Sequence, residues 1–305
     1  MARNGKKKTQ KQKSLPFIQP DAAGIDIGAT EIYVAVPEER DIRPVRKFAT
    51  FTEDLHRLAD WLIGCSIKTV AMESTGVYWI ALFQILESRG LEVCLVNARH
   101  IKGVPGRKTD VQDCQWLQYL HTVGLLRGSF RPAQAVCAVR SILRHRDNQL
   151  KSASRQVLLM QKALTQMNLQ LHNVISDITG VSGLAIIDAI LSGEREPSKL
   201  SCLCDARIKA SRQTVAKSLV GDYRPEHLFS LQQALESYRH FENQIAACDQ
   251  HIERMLAHFD SQEQCAEAPS NKYKAKGNQP AFYVPSEMHR ILGVHLTAIA
   301  GMSAQ

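Results

Sequence analysis

Residues 21–37 read Asp-Ala-Ala-Gly-Ile-Asp-Ile-Gly-Ala-Thr-Glu-Ile-Tyr-Val-Ala-Val-Pro. Two β-rich runs, Ala23 to Ile27 and Glu31 to Val36, flank a Gly-Ala-Thr turn, which is the pattern of a hairpin that opens a sheet. The chain beyond the hairpin constrains the fold further. A third strand is expected at Val45 to Phe51. Thr52 then caps a helix with Leu55, Leu58, Ala59 and Leu62 on one face. A short buried strand is expected at Lys68 to Met72, a helix from Val77 to Arg89 that stops at Gly90, and a strand at Leu91 to Val96. The order β-β-β-α-β-α-β predicts an α/β sheet that begins antiparallel and turns parallel.

Beyond residue 109 the spacing becomes helical. Thr109 to Thr122 reads as an amphipathic helix. From Val136 a heptad seam runs through Val139, Leu143, Arg146, Leu150, Ala153, Val157, Met160, Leu164, Met167, Leu171 and Val174 to Ile178, which predicts one long coiled-coil helix broken at Gly180 and Gly183. A second seam runs from Leu228 through Leu231, Leu235, Tyr238, Glu242, Ile245, Asp249, Ile252 and Leu256 to Phe259. The two seams pair antiparallel within one chain or pair with a second subunit. The predicted organisation is a basic disordered arm over 1–20, an α/β domain over 21–130, a helical coiled-coil region over 131–260, a linker over 261–285, and the opening of an incomplete domain over 286–305. Twenty residues cannot form a core alone.

Charge is distributed unevenly along the 305 residues. Residues 97–162 hold twelve Lys and Arg against three acids, a net +9, while the whole chain is +8. A localised basic field points to a polyanionic partner. No run of about 18 uncharged apolar residues exists, so no membrane helix is expected. The basic N-terminus lacks the apolar stretch of a secretory signal. Eight scattered cysteines without a CxxC pair read as reduced thiols of a cytoplasmic protein.

Four carboxylates stand out by position. Asp26 lies within the first strand, where an ionisable group is costly unless it is paired or metal-bound. Glu73 ends the fourth strand, and the carboxyl ends of strands are where α/β sheets build sites. Asp110 and Asp113 are an i,i+3 pair in the first turn of the helix that Thr109 opens, with Gln112 at capping-box spacing. Taken singly, the last two serve equally well as helix-capping acids. Taken together, two strand acids and two helix acids suit divalent ions, because Mg²⁺ takes hard oxygen ligands. Two such ions clamp a phosphodiester in line.

Three stretches, Gly24-Ile25-Asp26-Ile27-Gly28, Met72-Glu73-Ser74-Thr75-Gly76-Val77-Tyr78 and Lys108-Thr109-Asp110-Val111-Gln112-Asp113, resemble the motifs of the IS110 family of transposases, most closely its IS1111 subgroup. The resemblance covers about 20–300. It implies a RuvC-like, RNase H-type domain, a coiled-coil middle and a second transposase domain. It also implies that Asp26, Glu73, Asp110 and Asp113 are the catalytic, metal-holding acids, with a two-metal Mg²⁺ site. The expected activity is metal-dependent cleavage and strand transfer on DNA, with element-end and target DNA and a structured guide RNA as partners. A homo-oligomer through the coiled coil is expected. Gly293 to Ser303 resembles only the start of the second domain, so the resemblance implies a shortened copy lacking the family's nucleophilic serine.

For substrate grip, the basic residues are Arg99, Lys102, Arg107 and Lys108 before the last acids. Arg127 and Arg131 follow, then Arg140, Arg144, Lys151 and Arg155 at helical spacing. Such a stripe tracks phosphates. Tyr78 and Trp79 are expected mainly to pack. Two other readings remain: an actin-like ATPase or sugar kinase, for which Gly24 to Thr30 would be a phosphate turn, and a non-catalytic nucleic-acid-binding remnant.

Overall fold

A computed structural model describes residues 16–74, 76–97, 109–262 and 277–294. The chain divides into two compact units, one ending at Arg131 and the other beginning at Pro132.

The first unit is built on a five-stranded sheet. Its strands are β1 (Ala22–Ile27), β2 (Glu31–Ala35), β3 (Val45–Ala49), β4 (Thr69–Glu73) and β5 (Glu92–Val96). Their spatial order is β3-β2-β1-β4-β5. The β1-β2 and β2-β3 pairs are antiparallel, and the β1-β4 and β4-β5 pairs are parallel. This is the mixed sheet of the RNase H-like fold, antiparallel first and parallel afterwards as the sequence order predicts. Helices α1 (Thr52–Gly64) and α2 (Trp79–Ser88) contribute Leu58, Leu62, Leu82 and Leu86 to the main core, against Ala23, Ile25, Ile27, Val70 and Met72. Helix α2 ends before Gly90, whose φ of 79° is the left-handed conformation that favours glycine at a helix end.

Helix α3 (Asp110–Thr122) covers the other face of the sheet, and Leu117 packs with Ala71 and Val96. The central strands are therefore buried on both faces. That explains why β1 and β4 read as continuous apolar runs while the outer strands do not. Successive side chains of a strand alternate between faces. Ala23, Ile25 and Ile27 point to the main core, so Ala22, Gly24 and Asp26 point to α3.

The fit of α3 against that face depends on Gly24. A Cβ there would lie 2.2 Å from the backbone nitrogen of Gln118 and 2.3 Å from the carbonyl oxygen of Cys114. Only a residue with no side chain lets the helix backbone lie on the strand at this point. The amide of Gln118 donates to the carbonyl of Ala22 at 3.5 Å, and the backbone of Ile18 donates to Thr122 at 2.8 Å. The helix thus runs antiparallel to β1, with its N-terminus at the Asp26 end. One turn further along, buried His121 meets the Thr69 hydroxyl at 2.8 Å. Burial holds this imidazole's pKa down to about 4, so it is neutral in ordinary buffers.

The described residues of the second unit are helical, with no strand among them. Helix α4 (Gln134–Gln166) is followed by the shorter α5 (Leu171–Val174), α6 (Val181–Leu191), α7 (Pro197–Ser201) and α8 (Arg212–Ser218). Then come α9 (Pro225–Ala257) and α10 (Val284–Leu292). The two seams meet each other within the chain. Val139 packs with Ile252, Arg146 pairs with Asp249, and Met160 and Leu164 share a core with Leu231 and Leu235, so α4 and α9 run antiparallel.

The first seam is shorter than its heptad pattern suggests. Helix α4 stops at Gln166, and Asn168 adopts a left-handed φ of 57°. Met167, Leu171 and Ile178 continue the apolar phase and are buried, but on a turn and separate short segments. Periodicity reports which positions are buried; it does not report that one helix carries them all.

Part of the expected linker is also placed. Arg146 donates to the carbonyl of Asn278 at 2.9 Å, the backbone of Ala281 donates to Asp249 at 3.0 Å, and Phe282 is buried beside Val139 and Ile252. The expected arm up to residue 15 and the segments 263–276 and 295–305 lie outside the described residues. No helix among the described residues is long and apolar enough to cross a membrane.

Candidate active site

The antiparallel course of α3 sets the site. Gly24 lies under Cys114 and Gln118, so the next residue on the same face of β1, Asp26, faces the first turn of the helix. That turn carries Asp110 and Asp113. Thr109 is the N-cap, and its hydroxyl accepts from the Gln112 backbone at 3.3 Å. The cap orients the turn, and the helix dipole favours negative charge there.

Glu73 arrives from β4. The parallel pair aligns Gly24 with Ala71 and Ile25 with Met72, and Asp26 and Glu73 stand one step beyond those partners. Both belong to the face that Gly24 and Ala71 turn toward α3. Four acids from three elements are thus gathered at the carboxyl ends of the central strands, where α/β sheets place their sites.

Their electrostatics record the proximity. The Asp26 carboxyl is pushed up to about 6, first by burial and then by the negative charges of Asp110, Asp113 and Glu73. Cys114, one turn along the helix, is pushed up to about 12 by burial and by the Asp26 charge, so it is an inert neutral thiol. A cluster of like charges held this way is destabilising until a cation enters it. Among the described residues, however, no three His, Cys, Asp or Glu side chains converge closely enough to hold a metal ion as they stand. The four acids interact through their charges without a preformed cage. Their donor chemistry, carboxylate oxygens only, fits hard divalent cations.

The sequence reading missed Tyr33. The hairpin register places it directly opposite Asp26, and Lys47 of β3 directly opposite Tyr33. Lys47, Tyr33, Asp26 and Glu73 therefore form one row across the sheet. Tyr33 donates to Glu31 at 3.3 Å, and Lys47 pairs with Glu31 at 2.6 Å. A hairpin closed by Gly28-Ala29-Thr30 with Ile27 opposite Ile32 already fixes this pairing, so turn length was the available signal.

The expected phosphate-binding residues have different fates. Arg99, Lys102, Arg107 and Lys108 lie outside the described residues. Arg127 is exposed beyond α3. Arg131 is engaged within its own unit: its guanidinium lies 3.9 Å from the Phe83 ring centre and 3.4 Å from the Glu87 carboxylate, and its side chain is only 16% exposed. Arg140, Arg144, Lys151 and Arg155 are all exposed on α4. At 3.6 residues per turn they fall within roughly 60° of one another, on the side away from the Val139–Arg146–Ala153 seam that faces α9. Lys151 also pairs with Asp147 at 2.5 Å. Trp79 packs edge-on against Phe83 as expected, whereas Tyr78 is half-exposed.

Residues 23–169 match a family model whose name specifies DEDD transposases of the IS110 type and whose description is Transposase. No curated protein matches the chain. The matched span contains all four acids and every strand residue but Ala22. Over residues 23–169, just under half of its length, the chain is similar to the IS110 family of transposases.

Proposed function

We propose that the chain binds element-end DNA and carries out metal-dependent phosphodiester cleavage and strand transfer at Asp26, Glu73, Asp110 and Asp113. The observation that carries this reading is the convergence of four acids from β1, β4 and α3, with Asp26 raised by burial and then by its three neighbours. These four carboxylates would hold Mg²⁺. Bound there, divalent ions supply charge stabilisation to the attacking and leaving oxygens of a phosphodiester. The protein's own residues do the rest. Gly24 seats α3 so that its two acids reach the strand acids. Thr109 fixes the first helical turn. The stripe of Arg140, Arg144, Lys151 and Arg155 gives the sugar–phosphate backbone a line of cations, and the basic residues 99–108 add to the grip.

A structured guide RNA is a further proposed partner, supported by the excess of positive charge in 97–162. A homo-oligomer is supported by Val136 and Leu143, seam positions of α4 that remain exposed. The actin-like alternative needs a second α/β lobe, and the described residues from 132 onward form helices only.

The test of the site is metal-linked stability. In EDTA, Asp26→Asn is expected to melt higher than the parent, by about 1 kcal/mol, because it removes one member of a repelling group in a partly solvated site. Saturating Mg²⁺ at about 100 times Kd is expected to stabilise the parent by about 2.7 kcal/mol and to leave Asp26→Asn nearly unmoved. Equal Mg²⁺ responses in the two proteins would remove the metal-site reading.

A further inference from the structure

Strand β3 is the sheet's edge, and a groove of about 940 Å³ runs along all five of its residues to the start of α1. Arg43, Arg46, Lys47 and Arg57 line it, together with Asp41, Asp54 and Trp61. The cations and acids are layered. Arg57 is 71% exposed over a 13% exposed Asp54, and Arg46 is 40% exposed over a 16% exposed Asp41. The acids lie beneath and hold the cations; Arg57 faces outward, while Arg46 lies partly over the Trp61 ring.

Asp41 is the main anchor of this layer. It accepts from the Trp61 indole at 2.8 Å, from the Arg46 guanidinium at 2.6 Å and from the Arg43 backbone at 2.8 Å. The Arg46 guanidinium also lies 4.8 Å from the centre of the Trp61 ring. Cations held in place in this way lose little freedom when they meet an anion. The groove wraps the sheet edge: Arg46, Phe48 and Trp61 lie on the main-core face, and Lys47 lies on the face that carries the acids. Lys47, Tyr33 and Asp26 occupy one cross-strand row, so Lys47 stands about two strand spacings, roughly 10 Å, from Asp26.

We propose that this edge groove is a second nucleic-acid contact, taking the sugar–phosphate backbone of a single strand that leaves the acid cluster across Tyr33 and Lys47. Phosphates meet Lys47, Arg43 and Arg57 along the edge, the electrostatic part of what single-strand channels generally use. The assignment rests on the nucleic-acid reading above.

The experiment uses the full chain and a fluorescein-labelled oligothymidylate, with affinity measured across a salt series. On single strands, removing one phosphate-binding cation lowers the slope of log K against log salt by about 0.7. Arg43→Gln/Arg57→Gln is expected to lower the slope by about 1.4, and Lys47→Gln, which disturbs no buried group, by about 0.7. Arg207→Gln, an exposed cation of the second unit, controls for net charge and is expected to leave the slope unchanged. A photo-crosslinker at the fully exposed Ile42 is expected to capture the oligonucleotide.

Binding by the parent chain with unaltered slopes in the groove variants would overturn the groove and leave the nucleic-acid reading standing. No binding by the parent chain would overturn both. Capture of a second polypeptide at position 42 in place of the oligonucleotide would reassign the edge to strand pairing.

Discussion

Gly24→Ala is expected to cost the sheet unit about 3 kcal/mol of stability and to suppress its chemistry in whatever fraction still folds. The added methyl would meet two backbone atoms of α3, at 2.2 and 2.3 Å, and neither can rotate away as a side-chain tip would. Over-packing of this sort costs about 1–3 kcal/mol where neighbours can adjust, and a helix backbone adjusts only by moving whole. Moving α3 outward carries Asp110 and Asp113 away from Asp26 and Glu73. Urea unfolding of the variant, followed by a cleavage assay under conditions where it is folded, separates the two effects. A variant of parental stability and parental activity would show that α3 is not seated on Gly24.

The second large effect is expected in the helical unit. Arg146 and Asp249 form a two-point ion pair, at 2.5 and 3.2 Å, with both side chains almost fully buried between α4 and α9. Both also hold the 278–281 segment, through Asn278 and Ala281. Removing one partner strands a buried charge, so Arg146→Leu or Asp249→Leu is expected to cost about 3–5 kcal/mol. Removing both is a different matter, because an apolar pair carries no desolvation penalty. Arg146→Leu/Asp249→Leu is expected to recover most of the loss in α4–α9 packing while loosening the 278–281 segment. Limited proteolysis near 278 together with thermal melting reads the two quantities independently. Single and double variants of equal stability would mean that the pair is not buried between the helices.

These two regions differ in how much of them was legible in the sequence. The strands were, because β1 and β4 are short apolar runs bounded by turns, and a carboxylate inside such a run leaves Asp26 conspicuous. The four acids were legible through their positions at strand and helix ends. Gly24 was visible as part of Gly24-Ile25-Asp26-Ile27-Gly28, but its task was not, because the backbone it meets lies some ninety residues further along the chain. Arg146 and Asp249 appeared in the two seams as interruptions. Their opposite charges at facing positions become a register-setting pair only once the helices are known to run antiparallel.

The end of α4 was misjudged for a related reason. Met167, Leu171 and Ile178 keep the heptad phase because the chain continues along the same core after the helix has stopped. The basic residues were the least legible of all. Arg131 carries the same charge as Arg140, yet it is stacked on Phe83, and nothing in its local sequence distinguishes the two.

Whether the four acids form a metal-dependent DNA-cleaving site is tested most directly by strand scission of a labelled element-end duplex in Mg²⁺, comparing the parent chain with Asp26→Asn and Asp113→Asn. Changes to the residues that merely support metal ligands already cost about 10–100-fold, so removal of one of these acids is expected to cost more than about 100-fold, with EDTA abolishing scission by the parent chain. Scission that persists in EDTA, or that survives both substitutions at the parental rate, would contradict a metal site at these four carboxylates.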